Sequence, residues 1–225
     1  MTADEALASM DAVIASVSAI RLAARKCFGR SDMKRALRSM GALIGGKIET
    51  PPGKDGLEML VDLVFFEPDE HGTRPFDRFL SGPARSLPDH EQEIARRMGR
   101  GFFSIFRLAE KHEALGTWVE DILDNDKRLW LADLDVDEKN PSHTVFAVRV
   151  FDAGPFHMTL TVIISISQRM ANVLKRGHAT GRLPYRRSLP ATIYGLTHLG
   201  GAPPTHLGGW KFVADLGAEL RPGGT

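Results

Sequence analysis

Apolar residues recur at every third or fourth position from the start of the chain: Leu7, Met10, Val13, Ile14, Val17, Ile20, Ala24 and Phe28 form one stripe, predicting an amphipathic helix over residues 3–28. Asp4 and Glu5 open it and Arg21, Arg25 and Lys26 close it, the charge order that the helix macrodipole favours. Gly29 is the expected stop, and Ser31 the expected cap of a second helix carrying Met33, Ala36, Leu37, Met40 and Leu43 or Ile44 on one face. Gly45-Gly46 and Pro51-Pro52-Gly53 interrupt the pattern. Leu57 to Phe66 is then another apolar segment, expected as either a short helix or a buried strand. Pro75 places a helix over 74–81, and Pro88 another through Arg97.

After Gly99 and Gly101 the texture changes. Phe102–Ala109, Thr117–Leu123, Arg128–Asp135, Thr144–Phe151 and Phe156–Ser165 are short segments rich in Val, Ile, Phe, Thr and Trp, separated by Gly116, Asp124-Asn125-Asp126, Asn140-Pro141 and Gly154-Pro155. Five strands in so short a span predict a small antiparallel barrel or strongly bent sheet. Helical spacing returns from Ser167 to Gly177, and a Pro- and Gly-rich tail follows, with Thr192–Leu196 and Lys211–Leu216 as short docked pieces. The expected class is α+β: N-terminal helices, a five-stranded antiparallel barrel-like sheet, a C-terminal helix and an irregular tail. The expected sections are a helical hairpin over 1–50, short helices over 51–100, the sheet over 101–166 and the helix with its tail over 167–225.

Composition narrows the class. The chain has 225 residues, 43% of them hydrophobic and 25% charged, which suits one globular unit or two small ones and excludes collagen-like, coiled-coil and wholly disordered chains. Cys27 is the lone cysteine, so neither an intramolecular disulfide nor a thiolate zinc site is available, and a cytoplasmic location is expected. Asp4, Glu5 and Asp11 are unlike a secretory signal. The apolar stretch from Phe156 to Ile166 is broken by His157, Thr159, Thr161 and Ser165 and is about half a bilayer span, so no membrane partner is expected.

Phe65-Phe66, His71-Gly72-Thr73-Arg74-Pro75, Phe79-Leu80, Phe102-Phe103-Ser104-Ile105-Phe106 and Leu131-Ala132-Asp133-Leu134 follow an order that resembles uncharacterised bacterial proteins often carrying a SEC-C zinc motif. The resemblance covers about residues 65–165 and implies the same helix-then-barrel layout. Its zinc motif needs several cysteines, so no metal site is carried over to this chain.

No catalytic constellation emerges, and no cofactor is expected: nucleophile elbow, P-loop and dinucleotide glycine patterns are all missing from the sequence. Asp133, Asp135, Asp137 and Glu138 open like a calcium loop, but Glu138 stands where the turn glycine belongs and Thr144 where the closing glutamate belongs. Asp121, Asp124 and Asp126 read as turn residues. The eight histidines show no zincin-like pairing, although His198 and His206 flank a Gly-Pro loop and His157 lies in an apolar strand. Cys27 reads as a packed thiol rather than a reactive one, despite its cationic neighbours.

Charge, by contrast, is unevenly distributed. No acid occurs between Asp152 and Asp215, while Arg169, Lys175, Arg176, Arg182, Arg186, Arg187 and Lys211 all lie there. Residues 21–54 are also basic, and 113–138 are acidic. Arg169, Lys175, Arg176, Arg182, Tyr185, Arg186 and Arg187 are therefore the candidate binding residues, for a polyanion or for an acidic protein partner. The helices at 25–41 are no helix-turn-helix reader, since Arg25 and Arg35 occupy positions where small or apolar residues are wanted. The functional expectation is a non-catalytic adaptor or regulatory binding protein of the bacterial cytoplasm. A nucleic-acid-associated protein using both basic segments is the alternative, and an enzyme with an unrecognised site comes third.

Overall fold

The structure, a computed structural model, describes residues 1–44, 47–48, 54–132, 145–180 and 188–198. Helix α1 (Ala3–Ala24) begins with a reciprocal cap: Thr2 N donates to the Glu5 carboxylate, and Glu5 N donates to Thr2 Oγ1. A 3₁₀ turn (Arg25–Cys27) ends it. Gly29 is not that helix's stop but the cap of α2 (Arg30–Ser39), because Asp32 Oδ2 reaches back to accept from Gly29 N at 3.0 Å. A two-residue antiparallel ladder, β1 (Leu43–Ile44) with β2 (Lys47–Ile48), leads to α3 (Lys54–Phe66). The choice between helix and strand for this segment falls to helix. Met59, Leu60, Leu63, Val64, Phe65 and Phe66 are all buried, so the second half of α3 is enclosed on nearly all sides and carries no clear stripe in the sequence. Pro75 starts α4 (Pro75–Ser81), and Pro88 caps α5 (Asp89–Gly99).

The sheet contains β3 (Phe102–Lys111), β4 (Thr117–Asp121), β5 (Lys127–Leu131), β6 (Val145–Asp152), β7 (His157–Thr159) and β8 (Ile164–Ser165). β3, β4 and β5 form an antiparallel meander; β6 returns to the other edge of β3, and β7 closes the ring between β6 and β5. The expectation of a wholly antiparallel sheet is corrected here, because β5 and β7 pair in parallel at Leu131 and His157. Strand direction cannot alternate all the way round a closed ring with an odd number of strands, so five-strand closure forces one parallel pair. The segment expected as a fifth strand is split: β7 closes the barrel, while β8 pairs farther along the same edge of β6. A register shift between Leu108 and Glu110 interrupts the β3–β4 ladder, just past the last β3–β6 pair at Arg107.

Alternation along the strands gives the barrel two faces. Phe106, Val119, Leu129, Leu131, Phe146, Val148 and Val150 fill its interior. Buried Ser104 and Asp121, on the same inward side, close one end by hydrogen bonding to each other. Outward residues of β3 and β6 receive the helices: Ile105, Val145 and Ala147 share a core with α2 and α3 and with α6 (Gln168–Ala179) and α7 (Leu189–His198). Phe151, Phe156 and Met158 join a second core with α1, α3, α4 and α5. Helix α7 replaces most of what the sequence reads as the first part of an irregular tail, with Pro190 in its first turn and residues from Ala191 to Leu196 buried. Lys211–Leu216 lies outside the described residues.

Candidate functional site

The acid-free segment supplies Arg169, Lys175 and Arg176 on α6, which Ser167 caps by accepting from Met170 N. All three side chains are exposed. Lys175 Nζ lies 3.6 Å from Asp126 Oδ2, and Arg107 Nη2 lies 3.3 Å from Asp126 Oδ1. Asn125 and Asp126 have φ of 53° and 57°, so the β4–β5 turn holds its acid in a left-handed conformation facing these cations. Basic helix and acidic barrel thus meet within one chain at this point. Arg182, Tyr185, Arg186, Arg187 and His206 lie outside the described residues.

The other basic segment is also partly self-neutralised. Arg21 pairs with Glu58 at 2.6 Å, and Arg35 and Arg78 converge on Asp32 at 3.1 and 2.8 Å. Burial opposes ionisation of Asp32, but the Gly29 N–H and the Arg78 and Arg35 guanidiniums outweigh it and hold the carboxyl below its usual range. Cys27 is half-buried against the core of α1, with its thiol pushed up by burial, which is the packed thiol expected from the sequence. His157 sits at the β5–β7 closure and is pushed down by burial. Asp121 accepts from Leu123 N at 3.0 Å as a turn residue does. No cluster of His, Cys, Asp or Glu suited to a metal occurs among the described residues.

Small Greek-key barrels of the OB type offer the outer face of their second and third strands to oligonucleotides or oligosaccharides. The corresponding face here is β4–β5, where Trp118 and Trp130 stand directly opposite each other. Both rings are already engaged. His112 stacks on Trp130 at 3.7 Å with 4° between planes, and Arg128 lies 5.1 Å above Trp118 while paired to Glu110. Glu120 holds Arg107 at 2.6 Å on the same face. Its aromatic surface is therefore covered and its cations are matched by acids.

One polar cluster went unread in the sequence. Arg149, pointing outward from β6, donates from Nε and Nη2 to Asp62 of α3 at 2.6 and 3.2 Å, and Tyr194 Oη of α7 donates to Asp62 Oδ2 at 3.1 Å. The guanidinium also lies 4.5 Å from the Phe66 ring centre. Glu67 adjoins this group, is buried, and accepts from Ser188 Oγ. Burial pushes its carboxyl up, against the opposing pull of Ser188 and Arg149. An acid, Asp62, set within the apolar second half of α3 and a lone arginine, Arg149, in an apolar strand were the available signal, since neither is buried unpaired.

Helix α1 is the least covered apolar element. Ala6, Met10, Val13, Ile20 and Ala24 face the core, whereas Leu7, Ile14 and Leu22 are 43%, 45% and 66% exposed. Grooves run along both flanks. One of about 480 Å³ lies between Met10, Ile14, Val17 and the β7–β8 connection, and another of about 510 Å³ lies between Val13, Ser16 and Ile94 of α5. Residues 3–27 are long and apolar enough to cross a membrane, a property the sequence reading did not assign to them, and only about a quarter of their most apolar window is buried. A scan against known protein families matches residues 22–179, well over half the chain, to a family of unknown function, DUF7986. The chain belongs to this family. The DUF7986 match spans α2 to α6 and the whole barrel, while residues of α1 before Leu22 and all of α7 lie outside it. Neither a curated protein nor a solved structure matches the chain.

Proposed function

We propose that this DUF7986 member is a non-catalytic binding protein of the bacterial cytoplasm, an adaptor or regulator that engages another polypeptide through the outer face of α1. The observation that carries this reading is a continuous exposed seam, Asp4, Leu7, Asp11, Ile14, Ser18, Leu22 and Arg25, spaced by three and four residues along a helix whose opposite side is anchored in the core. Its occupant is an amphipathic helix running antiparallel to α1, with a cation to meet Asp4 and an acid to meet Arg25. The pairing of Lys175 with Asp126 supports complementarity within the chain over a polyanion site on α6. The covered tryptophans of β4–β5 weigh against base stacking there.

The test is capture by tagged protein, with and without nuclease, comparing wild type with Leu22→Glu. Capture of a polypeptide, whether a lysate protein or an untagged copy, should survive nuclease and disappear with Leu22→Glu. Capture that nuclease abolishes would favour the nucleic-acid reading instead. Capture indifferent to Leu22→Glu would remove α1 from the account.

A further inference from the structure

We infer that the polypeptide received by α1 is a second copy of this chain, paired antiparallel about a two-fold axis near Ile14 and Ala15. This rests on the reading of α1 as a docking surface and goes further by naming its occupant. A two-fold interface must be self-complementary: if residue i of one copy meets residue j of the other, j must also meet i. Laid antiparallel on itself, the α1 seam meets that condition along its length. Asp4 falls opposite Arg25, Leu7 opposite Leu22, Asp11 opposite Ser18, and Ile14 opposite Ala15, all of them exposed. Asp4, Asp11 and Arg25 have no ion-pair partner among the described residues of their own chain.

The charge order has a physical origin. Acids at the start and bases at the end stabilise the isolated helix through its dipole, and the same order puts opposite charges together when two such helices run antiparallel. A parallel pair would instead set Asp4 against Asp4 and Arg25 against Arg25. The 22 residues of α1 extend for about 33 Å at 1.5 Å per residue, so the seam is long enough for two apolar contacts and a terminal ion pair on each side of the axis. Small exposed side chains near the axis, Ala12, Ala15 and Ser18, allow close approach. A membrane surface fits less well: a helix lying in the bilayer interface keeps acids out of its lipid-facing side, whereas Asp4 and Asp11 stand in this seam.

Sedimentation of the full chain over a concentration series decides the matter. Wild type should dimerise, and Asp4→Arg or Arg25→Asp alone should weaken dimerisation about tenfold by replacing both symmetric attractions with repulsions. The double variant, carrying Asp4→Arg with Arg25→Asp, should recover most of that loss. Helix content by circular dichroism reports any separate cost to the helix dipole. Ile14→Arg, at the axis, should leave a folded monomer.

A wild type that stays monomeric into the millimolar range overturns the inference. If Leu22→Glu still abolishes capture of a lysate protein in that case, the docking reading stands with a different occupant; if no capture depends on Leu22, both fall. A dimer untouched by Ile14→Arg places the interface elsewhere. Binding of wild type, but not of Ile14→Arg, to phosphatidylcholine–phosphatidylglycerol vesicles, without dimerisation, would make α1 a membrane-contacting face and overturn the inference.

Discussion

Arg149 Nε donates to Asp62 Oδ1 at 2.6 Å across the seam between β6 and α3, and the two side chains are only 8% and 0% exposed. Placed outward on a barrel strand, Arg149 locks the helical layer to the sheet through a two-point contact, and Tyr194 adds α7 to the same carboxylate. Removing one partner leaves the other charge buried and unpaired. Asp62→Ala and Arg149→Ala should therefore each cost about 3–5 kcal/mol in urea denaturation. Replacing both with apolar residues of similar size, Asp62→Leu with Arg149→Met, should regain most of that loss. A double variant as unstable as the sum of the single ones would show that the two residues are not coupled and that the single losses do not come from a charge left unpaired.

This pair also marks where the sequence stops being legible. Hydrophobic spacing places α1, α2 and α6, Pro75 and Pro88 place α4 and α5, and runs of β-branched and aromatic residues between turn residues place the first four barrel strands, each to within a few residues. α3 is ambiguous because its second half, from Met59 to Phe66, is enclosed on nearly all sides and carries no clear period. α7 hides behind Pro190, Thr192, Gly195 and Thr197, residues that read locally as loop and become helical by docking into the core. Of the candidate binding residues, Lys175 is found engaged with an acid of the same chain, a contact between α6 and the β4–β5 turn that lies beyond any local pattern. The exposed seam of α1 was legible only in part, since the spacing showed an apolar stripe but not which of its residues the core would leave uncovered.

Glu67 should make stability fall as pH rises. Its carboxyl is buried beside Asp62, with Arg149, Ser188 and the Arg35 guanidinium, which donates to the Glu67 carbonyl at 3.4 Å, around it. Burial raises its folded value above the unfolded one, so the protonated form binds its proton more tightly in the native state. The stabilisation is complete below the unfolded value and is lost as pH rises through the folded one. Glu67→Gln, neutral at every pH and still able to accept from Ser188, should be at least as stable as wild type at neutral pH. Its thermal midpoint should also lack the wild-type decline just above the ordinary glutamate range. An identical pH profile in both proteins would place the titration elsewhere.

Gly116 should resist substitution more than its position in a turn implies. Its φ is +68°, and a Cβ there would come within 2.2 Å of Leu131 O and 2.8 Å of Ala132 Cα. The obstacles are backbone atoms of the neighbouring strand end and cannot rotate away. Gly116→Ala should cost about 1–3 kcal/mol from conformational strain alone, with the collision added. The turn also carries the hydrogen bond from His112 N to Gly116 O at 2.9 Å and that from Trp130 Nε1 to Leu115 O at 2.6 Å, so a changed tryptophan emission should accompany the loss. An unchanged midpoint with native fluorescence would show that the turn can relax.

The distribution of charge leads to a last expectation, about nucleic acid. Lys175 and Arg107 both reach Asp126, Arg128 reaches Glu110, and Arg21 reaches Glu58, so part of the cationic surface is already matched by acids. A polyanion would have to compete with these contacts, and counterion release rewards only the phosphates it newly engages. Wild type should accordingly show weak, sequence-blind retention on duplex DNA and on RNA at physiological salt. Asp126→Asn, which releases Lys175 and leaves Arg107 on Glu120 alone, should increase that retention at low salt and steepen its salt dependence, while costing less than about 1 kcal/mol of stability because the pairs are exposed. Changing Arg182, Arg186 and Arg187 together to Gln separates the two roles of the basic tail. If those residues hold phosphates, each lost contact lowers the logarithmic salt slope on duplex DNA by about 0.9. If they complement acids of this chain or of a partner protein, stability or partner capture changes while the slope stays the same, and this is the outcome the Lys175 contact favours. Submicromolar binding of wild type with a steep salt slope would reverse that ranking and make the basic segments the working surface of the protein.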